Sequence, residues 1–222
     1  MRALRAHLSY ARYVLRHKWF VFQACRTLGV PFWQAVVHDW SKFLPSEWVP
    51  YVRFFYGLPK VGDVVEIQSY EGFGGPARIV EERRSKTNRY KVEMLDGSQP
   101  RPFWAHDFEV KGLERAKAAF DVAWNLHQKR QLHHWQYWLL TLDSGETTPL
   151  PMPERFVREM VADWVGAGRA ITGRIEVAEW YAKNRDRIQL EIRTRALVEG
   201  LIERYYPTSP QGDTFTNPVS VS

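Results

Sequence analysis

VVHDWSKF, residues 36–43, sets an adjacent His38-Asp39 pair just ahead of Lys42. Neutral imidazole and ionised carboxylate are both ligands for divalent cations, and a lysine one helical turn on can hold a phosphate oxygen or a bound water. A buried His-Asp couple also serves as a plain hydrogen-bonded structural pair. The pair therefore gains meaning from its surroundings, and these read as helix.

Upstream, His17 lies in SYARYVLRHKWFVFQACRTLG (9–29), where Tyr10, Tyr13, Val14, Phe20, Val21, Ala24 and Leu28 recur at helical spacing, so it falls inside an apolar stripe. Downstream, His127 and His134 sit in AWNLHQKRQLHHWQYW (123–138). The run reads as helix, which puts both on one face about 10 Å apart, and His133 points elsewhere. This spacing is long for one ion held by both, so either two ions lie side by side or one histidine contacts substrate. Glu159 and Asp163 in PERFVREMVADWVGAG (153–168) are one helical turn apart, among Phe156, Met160 and Trp164.

The order His17, His38-Asp39, then Asp163 resembles the HD-domain superfamily of metal-dependent phosphohydrolases, and His38, Asp39 and Lys42 match its HDxxK variant. The extra histidines resemble those of two-metal members, which carries His127 and His134 over as candidate ligands of a second ion. Their crowding with His133 departs from that pattern, because two-metal members draw these histidines from separate segments. More closely, YVLRHKWFVFQACRTLG, HDWSKFLPSEWVPYVRFFY, HHWQYW and MPERFVREMVADW are similar to a family of uncharacterised bacterial and phage proteins known only as a domain of unknown function. That likeness covers the helical parts and brings no activity.

Between about Val61 and Gly112 the periodicity changes from helical to alternating. VGDVVEIQS, PARIVEER, RYKVEMLDG and FWAHDFEVK are separated by the turn sequences EGFGG, SKTN and DGSQP. Four or five short strands in this span predict a small barrel, and GDVVEI, YKVEMLDG and FWAHDFEV are similar to SH3-like barrels. Arg83, Arg84, Lys86 and Arg89, with Tyr70, Phe73, Tyr90 and Trp104, would suit nucleic acid, or simply solubilise an exposed hairpin. His106-Asp107 repeats the dipeptide on a strand without partner histidines and is assigned no metal role. Gly72, Gly74 and Gly75 would give the insertion hinge freedom over a pocket mouth.

The flanking segments return to helix. FLPSEWVPYVRFFYGLPK predicts a short helix that starts after Pro45 and closes at Gly57 and Pro59. GRIEVAEWYAKNRDRIQLEIRTRALVEGLIERYYP predicts two helices with a bend at Asn184–Asp186. The expected fold is α+β: a mainly all-α HD-like domain made of residues 1–60 and 114–206, interrupted by an SH3-like barrel at 61–113. Residues 207–222 are too poor in apolar groups to offset chain ordering and are expected to form a flexible tail.

Composition sets bounds on function. With 222 residues and 45% apolar content the chain can build one substantial core plus an appendage. The ten tryptophans include Trp19, Trp40, Trp135 and Trp164 beside candidate ligands, which predicts a dry pocket. A single Cys25 excludes an internal disulfide and fits a reducing compartment. No stretch is apolar enough for a membrane span and no secretory signal is expected, so the expected location is the bacterial or phage-infected host cytoplasm. The net charge of +6 favours anionic partners, polyphosphate or polynucleotide alike.

The expected activity is hydrolysis of a nucleotide or another phosphomonoester. His17, His38, Asp39 and Asp163 would hold one divalent ion, of Mn, Fe, Co, Mg or Zn, and His127 or His134 would either hold a second ion or protonate the leaving group. Lys42 would neutralise a phosphate oxygen, Glu47 or Glu159 would orient water, and Arg16, Lys18 and Arg158 would clamp further phosphates. A di-iron oxygenase, a non-catalytic nucleic-acid-binding or viral accessory protein, and a decoy for a cellular partner are the rival readings.

Overall fold

A computed structural model of the chain describes residues 2–57, 61–67, 74–83, 90–105 and 110–207. The chain divides into two compact units, one of residues 1–15 and 39–130 and the other of residues 16–38 and 131–222. One division falls inside the first helix and another at the peptide bond between His38 and Asp39. The strands expected as a separate insertion at 61–113 are thus grouped with the helices on either side of them.

The first unit contains the start of helix α1 (Arg2–Thr27), a 3-10 turn Trp40–Phe43, helix α3 (Pro45–Tyr56), five strands and helix α4 (Glu114–Arg130). Pro45 opens α3 where its missing N–H costs nothing, and Gly57 follows its end. Tyr10, Val14, Tyr51, Val52 and Ala123 form the buried helical core of this unit, and Phe54 stacks on Phe120 with centroids 4.4 Å apart. Strands β1 (Val64–Ile67), β2 (Gly75–Glu82), β3 (Tyr90–Met94), β4 (Phe103–Ala105) and β5 (Val110–Leu113) form one antiparallel sheet in the order β4-β3-β2-β1-β5. Alternation works as expected: Tyr90, Val92 and Met94 turn inward on β3 beside Ile79 and Ala77 of β2. The outer strands β4 and β5 are not paired with each other among the described residues, so the expected barrel is observed as a five-stranded sheet.

The second unit holds the rest of α1, helix α2 (Phe32–Val37), a 3-10 turn Trp135–Trp138, and a hairpin of β6 (Leu139–Thr141) and β7 (Thr147–Pro149). Helices α5 (Glu154–Thr172), α6 (Val177–Asn184) and α7 (Ile192–Tyr205) complete it. The bend expected at Asn184–Asp186 is present as a short 3-10 turn over Arg185–Arg187. Helix α1 ends at Gly29, whose φ of 72° lets the Val30 amide reach back to the Cys25 carbonyl at 2.9 Å. Val21 and Cys25 of α1 and Leu28 just past its end pack with Val157, Met160 and Val161 of α5 and with Val198 and Leu201 of α7. At Gly166 the two long helices come so close that a Cβ there would lie 2.7 Å from the Val21 backbone nitrogen.

The hairpin β6–β7 has no counterpart in the expected elements, although Asp143-Ser144-Gly145 is ordinary turn chemistry, with Gly145 at φ 85°. No helix among the described residues is long and apolar enough to cross a membrane. The tail expected at 207–222 lies outside the described residues except for Pro207.

Candidate metal centre

In the second unit, three helices and the turn at His133 bring imidazoles and carboxylates together. His17 sits on the apolar stripe of α1 and is buried, as its spacing predicts. His38 follows the last residue of α2 in extended backbone, which turns its ring inward. Glu159 and Asp163 project from successive turns of α5. The Nε2 atoms of His17 and His38 lie 3.2 and 3.3 Å from the same oxygen, Asp163 Oδ1.

Behind His38 stands Glu159, whose Oε1 is 2.9 Å from His38 Nδ1. The same oxygen is 3.3 Å from Nδ1 of His133, and Gln34 donates to the other oxygen at 2.5 Å. Burial pushes the Glu159 carboxyl up, but hydrogen bonds from His133 and His38 and the charge of those rings outweigh it and hold the group at about 2. Glu159 is therefore anionic and accepts only, which assigns a proton to His38 Nδ1. With that proton alone on the ring, His38 turns a lone pair on Nε2 toward the carboxylate of Asp163; with a second proton, Nε2 donates to Asp163 instead. Two acceptors at that distance attract only through a proton or a cation between them.

The donor set fits a cation. Ligand atoms of His17, His38 and Asp163 lie within 4.8 Å of one another. Bonds of about 2.1 Å around a tetrahedral ion put neighbouring ligand atoms roughly 3.4 Å apart, close to the 3.2 and 3.3 Å found here. Two imidazoles and a carboxylate, one imidazole backed by a second carboxylate, are the ligands and outer-shell partner that zinc, iron, cobalt and manganese take.

The first unit carries a parallel arrangement around Asp39. This residue has φ 56° and ψ 27°, the left-handed region, and no other non-glycine residue among those described has a positive φ. The turn it makes after His38 buries its carboxylate completely. Oδ2 pairs with Lys42 Nζ at 2.5 Å and Oδ1 is 3.3 Å from His127 Nε2. On the far side of that ring Glu47 Oε2 is 2.9 Å from Nδ1. Ser41 Oγ donates to the same Glu47 oxygen at 2.9 Å, and Arg130 donates to the other at 2.8 Å. Burial raises the Glu47 pKa, yet the bonds from His127, Arg130 and Ser41 leave it below the usual value.

Several expectations change against this geometry. Residues 127–134 are not one helix, because α4 ends at Arg130 and the chain turns so that Leu132, Trp135 and Trp138 pack into the core of the second unit. The shared face expected for His127 and His134 therefore does not exist. His133, expected to point away, is buried with its ring 4.3 Å from that of His38, and His134 is buried beside it at 4.4 Å. Glu47 and Glu159, expected to orient water, have their oxygens engaged by histidines and their neighbours. Trp19 and Trp40 are 57% and 53% exposed, so neither shields a dry pocket.

The three proposed phosphate clamps are held elsewhere. Arg16 donates to the Arg169 carbonyl at 3.4 Å, Lys18 to the carbonyls of Val36 and His38, and Arg158 to the Leu28 carbonyl at 2.7 Å and to Glu154. On the sheet, the Arg83 guanidinium lies 4.0 Å from the Trp104 ring centroid. Arg84, Lys86 and Arg89, Tyr70 and Phe73, and His106-Asp107 lie outside the described residues. Residues that the motif reading passed over are Gln34, Ser41, Arg130 and His133. Gln34 was findable as the residue one helical turn before His38, and Ser41 lies within the opening motif itself.

Comparison with known families matches residues 6–73 and 81–204 to a family of unknown function, DUF5662. No curated protein and no solved structure matches the chain.

Proposed function

The chain belongs to DUF5662, a family that brings no activity with it, and on that premise we propose that it is a metal-dependent phosphohydrolase acting on a nucleotide or another phosphomonoester. The observation that carries the reading is the approach of two imidazole Nε2 atoms to one Asp163 oxygen, where Glu159 has already fixed the His38 proton on the opposite nitrogen. His17, His38 and Asp163 hold the ion in this proposal. Asp39 joins them as the next residue along the chain, a ligand argued from covalent adjacency. When bound, a divalent ion such as Mn, Fe, Co, Mg or Zn would lower the pKa of a coordinated water, to about 7 in the case of zinc.

The chain's own groups supply the rest. Lys42, held against Asp39 Oδ2, offers its ammonium to a phosphate oxygen. Glu159 keeps His38 in one tautomer and one orientation. His127 presents Nε2 on the side of Asp39, either as a ligand of a second ion or as the group that returns a proton to the leaving oxygen. Lys18 and Arg158, committed to backbone carbonyls, are not needed. The five strands, with β5 returning beside β1, are read as an SH3-like barrel.

Elemental analysis of protein purified without chelator, paired with a phosphatase screen across nucleotides and simple phosphomonoesters, tests the proposal. Bound transition metal and phosphate release are expected together. Asp39→Ala and Asp163→Asn are each expected to remove metal and to lower turnover by at least about 100-fold. Asp39→Asn serves as the control for folding, because Asn tolerates the left-handed backbone that Ala does not. Full metal content in a folded Asp39 variant removes Asp39 from the ligand set. Iron with oxygen consumption and no phosphate release would instead favour an oxygenase. Salt-dependent polynucleotide binding with no turnover would favour the accessory reading.

A further inference from the structure

We propose that Glu47 and Arg130 are positioning residues for His127, fixing it in the tautomer that carries its proton on Nδ1 and keeps Nε2 basic on the side of Asp39. The functional weight of this proposal rests on the hydrolase reading, but the geometry is its own. Glu47 is completely buried, and each of its oxygens has a different task. Oε1 takes Arg130 at 2.8 Å, while Oε2 takes Ser41 Oγ at 2.9 Å and faces His127 Nδ1 at 2.9 Å; Ser41 Oγ also lies 3.2 Å from that Nδ1 and, with its proton on Glu47, can only accept there. A carboxylate held by a guanidinium and a hydroxyl has only acceptor capacity left, so the imidazole nitrogen facing it must donate.

The consequence appears across the ring. His127 Nε2 lies 3.3 Å from Asp39 Oδ1, whose other oxygen is held by Lys42. With the proton on Nδ1, Nε2 turns its lone pair toward Asp39 Oδ1, and the two acceptors are joined there by a cation or a shared proton. With the opposite tautomer Nε2 would donate to Asp39. Arg130 also donates to Ser46 Oγ at 3.2 Å, which anchors the guanidinium to the first turn of α3, the element that carries Glu47. The contacts run in order from a guanidinium one third exposed, through Glu47, to a fully buried imidazole. Outer carboxylates of this kind set tautomer and ring orientation, and their loss typically costs about 10–100-fold in metal affinity or activity.

The test reads the tautomer directly. Long-range 15N–1H correlation spectra of the full chain are recorded without metal or substrate for wild type, Glu47→Gln, Arg130→Met and Arg130→Lys. Wild type is expected to show His127 protonated on Nδ1. E47Q, whose amide both donates and accepts, is expected to give a mixture of tautomers, R130M a smaller shift in the same direction, and R130K a return toward wild type. Hydrolysis of p-nitrophenyl phosphate with Mn2+ is expected to fall by about 10–100-fold in E47Q.

A wild-type protein with the proton on Nε2, or a folded E47Q that keeps the pure Nδ1 tautomer, overturns the proposal. Should E47Q fail to fold, R130M decides, because its side chain is partly in solvent; an unchanged His127 there removes Arg130 from the set. The expected tautomers in a wild type that neither binds metal nor releases phosphate would sink the hydrolase reading and leave this one standing.

Discussion

Glu191 turns one carboxylate oxygen into the cap of a helix. Its Oε2 accepts from the amides of Arg193 and Thr194 at 2.9 and 3.0 Å, satisfying two of the donors that the first turn of α7 leaves open. Those backbone bonds hold the carboxyl below its usual value of 4.5. A depressed carboxylate stabilises the folded state fully above its unfolded pKa, and the contribution is lost as pH falls through the lower, folded one. Glu191→Ala is therefore expected to lower the melting temperature at pH 7 and to make little difference below the folded pKa, which a series of melts across pH 2–7 would reveal. Equal destabilisation at both ends would mean that the carboxylate charge has no part in the cap. Capping by glutamate is hard to read from sequence, because Ser, Thr, Asp and Asn are the residues that announce a helix start. His133 was missed for a different reason: its direction follows from where α4 stops, and no Gly or Pro near Arg130 marks that end.

Helices α1 and α5 meet through a residue that has no side chain. A Cβ at Gly166 would lie 2.3 Å from Val21 Cγ2 and 2.9 Å from the Val21 Cα, so a methyl group there collides with backbone. Val21 is one turn beyond His17 and Gly166 one turn beyond Asp163, which puts this crossing next to the 3.2 Å approach of those two side chains. Gly166→Ala should push the helices apart, costing about 1–3 kcal/mol by overpacking and weakening metal binding more than a surface Gly168→Ala, where nothing lies within 4 Å. Parallel melts and Mn2+ titrations of the two variants would check this; equal metal affinity in both would separate the crossing from the ligand geometry. Periodicity made both helices legible, from the Tyr10-to-Leu28 stripe and from Phe156, Met160 and Asp163. Their closest point was not, since a glycine inside a helical run looks like a weak spot until the partner helix is known.

For the whole molecule, the alternation of 61–113 and the helical stripes around it were enough to give a mixed helical and antiparallel architecture. The grouping of those strands with α3 and α4 was not, because the hydropathy of Phe54 and Phe120 does not say which surface they cover. Likewise His17, His38 and Asp163 were singled out by residue type and order, and the fold brings these three together, whereas the roles of Glu47 and Glu159 depend on which atom faces which. A cation that binds only the folded chain couples this local chemistry to global stability. Free metal at one hundred times its dissociation constant adds about 2.7 kcal/mol, and at 2–4 °C per kcal/mol for a chain of this size that is roughly 5–10 °C in melting temperature. Calorimetry of chelated protein with and without added Mn2+ should show such a rise in wild type. Asp163→Asn should melt near the metal-free wild type and be insensitive to the ion. A rise of equal size in Asp163→Asn would place the stabilising ion somewhere other than between α1, α5 and His38.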